Sequence, residues 1–225
     1  MGGVAVVVGA SGGIGAALRA QLCGQGGFDA VLGLSRPALD LIDEARIVAR
    51  AREIAARGPL RLVIVASGVL HGDGLAPEKS WRDLDAARLA RLFAINAIGP
   101  ALIVKHFCPL LARDGKSVFA TLSARVGSIG DNHLGGWYGY RASKAALNQI
   151  IRTASVELRR SHPQAACVAL HPGTVATRLT QPFAKTGLDI QTPKAAAARI
   201  CAVIERLDAD DSGRFFDNFG KPIEW

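Results

Sequence analysis

The opening residues constrain this chain more than any others: MGGVAVVVGASGGIGAALRAQL. Residues 4–8 form a short β-branched apolar run, the pattern of a strand buried on both faces. Gly9, Gly13 and Gly15 follow at once, with Ser11 and Ile14 among them, and residues 16–22 continue with helical periodicity. A strand that passes through a glycine-rich turn into a helix gathers free N–H groups and the positive end of the helix dipole at one point. Phosphate binds at such a point. Gly9 permits the tight turn, while Gly13 and Gly15 let backbone come close to a pyrophosphate and to the sheet. The spacing is Gly-x-x-x-Gly-x-Gly, not Gly-x-Gly-x-x-Gly.

Further strand-like runs occur at 30–34, 61–66, 117–122, 166–170 and 213–217, and helical patterns at 13–25, 43–57, 81–107, 140–161 and 193–206. Strands alternating with helices predict an α/β, Rossmann-type doubly wound parallel sheet covered on both faces, with ligands at the carboxyl ends of the strands. At 225 residues the chain suits a single domain spanning 1–225. Only Ser35, Arg36, Pro37 and Ala38 separate VLGL from LDL. Parallel strands need a crossover of about a dozen residues, so 39–41 is read as a loop or stub, leaving about six main strands.

No apolar run reaches ~18 residues, so no membrane span is expected. The start lacks a basic leader, and a cytoplasmic location is expected. Four scattered cysteines (Cys23, Cys108, Cys167, Cys201) suit reduced thiols packed as small hydrophobes, and the histidines lack ligand spacing, so no metal is expected. The net charge of +8 comes with arginines dispersed along helices, which favours a solvated basic surface that attracts an anionic ligand over a nucleic-acid interface.

In WYGYRASK, Tyr140 and Lys144 lie one helical turn apart and share a face. A cation held near a phenol favours the phenolate, making a proton-transfer group that works near neutral pH. With the glycine turn upstream, this pair resembles the short-chain dehydrogenase/reductase family over nearly the whole chain. Asn96 in FAINAIGP matches the family's catalytic asparagine, and Pro172–Gly173 in LHPGTVATRL its nicotinamide-side motif. GSIGDNHLGGWYGYRASKAALN and the ending FFDNFGKPIEW look most like the C-factor and sniffer-like carbonyl reductase branch.

The resemblance implies hydride transfer between a nicotinamide and a carbonyl or alcohol. Tyr140 would be the proton donor, and Lys144 would lower its pKa and bond the nicotinamide ribose. Asn96 would disturb its helix and hold a water in a relay to Lys144. Pro172, Gly173, Thr174, Val175 and Thr177 would meet the nicotinamide. The end of the second strand, where the adenosine ribose is read, offers Ser35 and Arg36 and no acid before Asp40. A guanidinium there suits a 2′-phosphate, so NADP(H) is expected over NAD(H), with Asp40 at the adenine. VASG replaces the family's Asn-Asn-Ala-Gly, keeping Gly68 for close approach, with Ser67 beside it, and losing asparagines that brace the sheet.

The family's serine position falls on Ala124. Ser123 is the favoured substitute, though strand alternation turns it away unless a bulge intervenes, and Ser128 is the other candidate. The loop 128–139, with His133, Leu134 and Trp137, and the segment 178–192 are expected to shape a pocket for a small carbonyl or alcohol substrate. Helices 81–107 and 140–161 are expected to form a homodimer or homotetramer interface. The second functional reading is an NADP(H)-binding regulatory protein with little turnover.

Overall fold

Six parallel strands build the sheet, in the order β2-β1-β3-β4-β5-β8. They are β1 (Val4–Val8), β2 (Ala30–Leu34), β3 (Leu60–Val65), β4 (Ser117–Leu122), β5 (Ala165–Leu170) and β8 (Phe215–Phe216). The structure is a computed structural model that describes residues 2–183 and 189–225. The helices are α1 (Gly13–Gln25), α2 (Glu44–Ala55), α3 (Ala86–Phe93), α4 (Gly99–Phe107), α5 (Tyr138–Ser161) and α6 (Pro193–Arg206). Strand order reverses between β1 and β3, which opens a crevice beyond their carboxyl ends.

Strand alternation sorts the core into two layers. Val118, Ala120 and Leu122 of β4 pack with Leu18 and Leu22 of α1 and with Ala197 and Ile200 of α6. Phe119 of β4, with Cys167 and Ala169 of β5, packs with Ile47 of α2, Ile103 of α4, and Leu147 and Ile151 of α5. Every strand is thus apolar on both faces, as the continuous runs require.

Residues 39–41 form no strand: Leu39 N–H bonds Ser35 O at 3.0 Å, and Asp43 caps α2 by accepting from Arg46 N–H. The last strand is shorter than the strand-like run 213–217, because Gly213 turns the chain with φ +83°. A separate parallel pair, β6 (Thr174–Val175) and β7 (Ile190–Gln191), is too short for any pattern to announce.

The run 81–107 departs most from expectation. Trp81–Asp83 is a 3₁₀ turn, Asp85 caps α3 by accepting from Arg88 N–H, and Ala94–Ile98 is a π-helical turn leading into α4. The expectation that no apolar stretch reaches spanning length also needs correction. Ala86–Leu110 has the length, and an 18-residue stretch within it has a mean hydropathy of 1.5. It is nevertheless this broken helix, packed against α2 and α5.

Candidate active site

The anion-binding end forms around Gly9. Its φ of +85° lets its N–H reach Leu34 O at 2.8 Å while its carbonyl accepts from Gly12 N–H at 3.0 Å. A Cβ on Gly15 would collide with the Gly9 carbonyl, so only glycine allows α1 to start this close to β1. Gly12, at the N-cap, brings no side chain to the first-turn amides, which face outward with the helix dipole. Ser11 is exposed and Ile14 half-buried in the same turn. A Cβ on Gly13 would stand 2.9 Å from Thr177 Cγ2, so the turn and the segment after β5 close on each other. Across the crevice, the Ser67 hydroxyl is buried without a partner. An uncapped helix start, a glycine cradle and an orphaned hydroxyl fit a dinucleotide.

At the end of β2, Ser35 is half-buried and Arg36 exposed, its guanidinium in no ion pair among the described residues. Asp40 accepts from Ile42 N–H at 3.2 Å, within its own turn. A second guanidinium enters from α1: a Cβ on Gly33 would lie 2.8 Å from Arg19 Cδ. Arg19 belongs to no motif. It does lie one turn past Gly15, and that spacing was a usable signal.

The reacting end is built by α5, the π turn and the segment after β3. Tyr140 is 7% exposed and Lys144 3%, with Nζ 5.9 Å from the phenol ring centre and donating to Leu122 O at 2.9 Å. A Cβ on Gly68 would stand 3.4 Å from Asn96 Oδ1 and 3.5 Å from Lys144 Nζ, so Gly68 is where those two side chains meet. Asn96, fully buried, accepts from Val69 N–H at 2.8 Å and donates to Val69 O at 2.8 Å and to Ser143 Oγ at 3.1 Å. Ser143 in turn donates to Tyr140 O. The local helix disturbance expected at Asn96 is the π turn itself.

Burial governs both ionisable groups. It lowers Lys144 from its ordinary value to about 8, because the interior disfavours the ammonium. It raises Tyr140, because the phenolate is disfavoured in the same way. That corrects the expectation of a depressed phenol: burial pushes Tyr140 up, and it stands protonated at neutral pH.

Ser123 also needs correction. β4 and β5 pair without a bulge, and Ser123 N–H bonds Leu170 O at 2.8 Å in continuation of the ladder. Ser123 therefore keeps to the face of Phe119 and Thr121, under α5. It is 4% exposed and donates to Asn148 Oδ1 at 2.6 Å. Ser128 is buried and accepts from Asp131 N–H. Among the described residues neither hydroxyl is hydrogen-bonded to Tyr140, and Ala124 is half-buried. Thr121, opposite Val65 where VASG lacks asparagine, has its hydroxyl buried without a partner.

Beyond β5, the Gly173 φ of +79° turns the chain into β6, where Thr174 and Val175 pair with β7. Pro172 O accepts from Gln191 Nε2 at 2.6 Å, and Thr177 N–H bonds Thr180 Oγ1. An aromatic wall stands over the reacting end. The Trp137 ring lies edge-on 6.3 Å from Tyr140 and 5.1 Å from Phe183, and His71 lies 5.4 Å from Phe183. His133 and Leu134 point to solvent instead. Of the expected pocket segment 178–192, residues 184–188 lie outside the described residues. No pattern pointed to Glu78, whose carboxyl accepts from Gly139 N–H in the first turn of α5.

A family model described as Enoyl-(Acyl carrier protein) reductase matches residues 9–205. The chain is 39% identical over 145 residues to "C-signal" of Myxococcus xanthus, covering 64% of this chain and 82% of that protein. It is 34% identical over 232 residues to 1-hydroxy-2-glutathionyl-2-methyl-3-butene dehydrogenase of Rhodococcus sp. strain AD45, covering 98% of each. The structure is similar to that of NADPH-bound carbonyl reductase from chicken fatty liver, with a TM-score of 0.88 at 25% identity over 99% of this chain and 94% of that one. These likenesses agree with the C-factor and sniffer-like side of the resemblance.

Proposed function

The chain belongs to the short-chain dehydrogenase/reductase family, and from that premise we propose that it is an NADP(H)-dependent reductase of a carbonyl substrate, or dehydrogenase of the matching alcohol. The observation that carries this is the meeting of Asn96 and Lys144 at Gly68, with the Tyr140 ring centre 5.9 Å from Lys144 Nζ, in the crevice beyond the glycine turn. NADPH, when bound, supplies the hydride. The protonated Tyr140 phenol holds the proton that the substrate oxygen takes up as its carbon is reduced. Lys144 Nζ spends one donor on Leu122 O. Its others remain to steady the developing phenolate and to bond the ribose. Asn96 fixes Val69 and Ser143, and through them the backbone on both sides of the site.

Arg36 and Arg19 at the end of β2 support NADP(H) over NAD(H), since two guanidinium groups there suit a 2′-phosphate and disfavour nothing that NADP carries. The chicken carbonyl reductase was solved with NADPH. Trp137 and Phe183 give the substrate an apolar flank, so a carbonyl compound with an aromatic or aliphatic body fits better than a charged one.

One observation favours the alternative of an NADP(H)-binding regulatory protein: alanine stands at the family's serine position and the Ser123 and Ser128 hydroxyls are bonded elsewhere, which removes an orientation and oxyanion donor worth about 10²–10³ in rate. Titration with NADPH and NADH, followed by NADPH consumption over a panel of neutral carbonyl compounds, separates the readings. The enzyme binds NADPH more tightly than NADH, by charge-assisted bonds of ~1.5–3 kcal/mol each, and oxidises it when substrate is added. Equal affinities contradict the cofactor assignment. Tight NADPH binding without substrate-dependent oxidation favours the regulatory reading.

A further inference from the structure

Glu78 is 2% exposed, and each of its bonds goes to the start of α5. Its Oε2 accepts from Gly139 N–H at 3.1 Å, and its main-chain oxygen accepts from Trp137 N–H at 2.6 Å. Its Oε1 is buried without a partner. The first amides of a helix have no partner within it, and the N-cap side chain ordinarily supplies one. Here the N-cap is Trp137, which offers no such bond and sits at φ +53°, a left-handed conformation rare for a bulky residue. Glu78 supplies the cap from 61 positions away in the chain. A Cβ on Gly139 would stand 2.6 Å from Leu92 Cδ1 and 2.8 Å from Glu78 Oε1, so the helix start is glycine where the carboxyl presses on it. The segment that carries Glu78 is itself fastened, because Asp83 Oδ2 accepts from Lys79 and Ser80 N–H at 3.0 Å each.

Tyr140 is the next residue after Gly139, and the Trp137 ring packs on it. We propose that Glu78 is a positioning residue for this site: by capping α5 it holds the left-handed Trp137 junction, and so fixes where the Tyr140 phenol and the Trp137 ring stand relative to substrate. The proposal rests on Tyr140 as proton donor. Without the cap, Gly139 N–H is left unpaired in a buried place, and the junction relaxes by rotating at Trp137. That rotation carries the first turn of α5 with it. The glycine turn and α1 are untouched, so cofactor affinity is preserved.

Two variants test this in the full-length protein. Glu78→Asp keeps the charge but is one methylene too short to reach Gly139. Glu78→Gln keeps the length and an acceptor oxygen. We expect Glu78→Asp to lower kcat about 10- to 100-fold, as a small misplacement of a reacting group does. Its carbonyl KM and NADPH dissociation constant should change less than about threefold, and Glu78→Gln should keep kcat within about threefold of wild type. Amide exchange at residues 138–140 should quicken about five- to tenfold in the Asp variant only, as loss of a cap implies. Equal kcat in all three proteins, an equal loss in both variants, or a kcat loss without faster exchange would overturn the proposal. A wild type without NADPH-dependent turnover contradicts the proposed function instead. The exchange comparison then decides alone: faster exchange in the Asp variant and not the Gln variant upholds the cap, and unchanged exchange overturns it.

Discussion

Lys144 is enclosed and ionisable at once, and that has two measurable consequences. Its pKa of about 8 in the folded chain lies below its ordinary 10.5. Between those values the unfolded chain holds more protons, so this residue's contribution to stability rises with pH across that window. At pH 7 the buried charge is a net cost. Lys144→Met should therefore raise the stability measured by urea unfolding at pH 7, on the order of 1–3 kcal/mol, while removing turnover. The wild-type kcat for carbonyl reduction should fall as pH rises through about 8, since the ammonium that steadies the developing phenolate is lost there. The Tyr140 phenol, raised by burial, stays protonated throughout that range. At Ser123 the expected outcome differs in kind. Ser123→Ala should leave kcat within about threefold but lower stability by about 1–3 kcal/mol, because Asn148 Oδ1 loses its buried donor. Much of this scale was legible beforehand. Tyr140, Lys144 and Asn96 are set by helical spacing and motif, and strand alternation alone turned Ser123 under α5. The balance of burial against a nearby charge at Tyr140 was not legible, because spacing says nothing of how deep a helix face lies.

The glycine turn and α1 were readable to the residue, because Gly9 and Gly15 are required by φ and by backbone contact that no other side chain tolerates. The interruption between α3 and α4 was not. The apolar pattern of 81–107 continues through Ala94–Ile98, and the π turn is fixed by Asn96 bonding Val69 on a distant loop. Tertiary bonds of that kind leave no period in the sequence. Asn96→Ala should then act on the element as well as the chemistry. It leaves Val69 N–H, Val69 O and the Ser143 hydroxyl short of partners in the interior, so a loss of at least about 2 kcal/mol is expected in denaturant unfolding. Amide exchange at Val69 should quicken with it. Unchanged stability would mean that the π turn is held by packing alone. Glu78 belongs to the same class: a loop residue whose role exists only once α5 has packed against it.

At the scale of the whole molecule, a doubly wound parallel sheet of about six strands was recoverable from alternating elements and from one connection too short to cross over. Which outer surface meets a partner was not. Ile98, at the π turn, and Val156, on α5, are 53% and 51% exposed. They lie on the two stretches expected to form an isologous interface, so a homodimer or homotetramer should appear by light scattering at micromolar concentration, and a monomer would contradict it. If the protein is an enzyme whose proton donor is Tyr140, Tyr140→Phe removes its turnover and spares its cofactor binding. Wild type and variant are compared for NADPH oxidation with a neutral carbonyl substrate and for NADPH binding by fluorescence titration. The variant should bind NADPH within about threefold of wild type, having lost a hydroxyl that faces substrate, and retain no more than about a hundredth of the turnover, as expected when a general acid is removed. Undiminished carbonyl reduction by the variant would rule out Tyr140 as the proton donor.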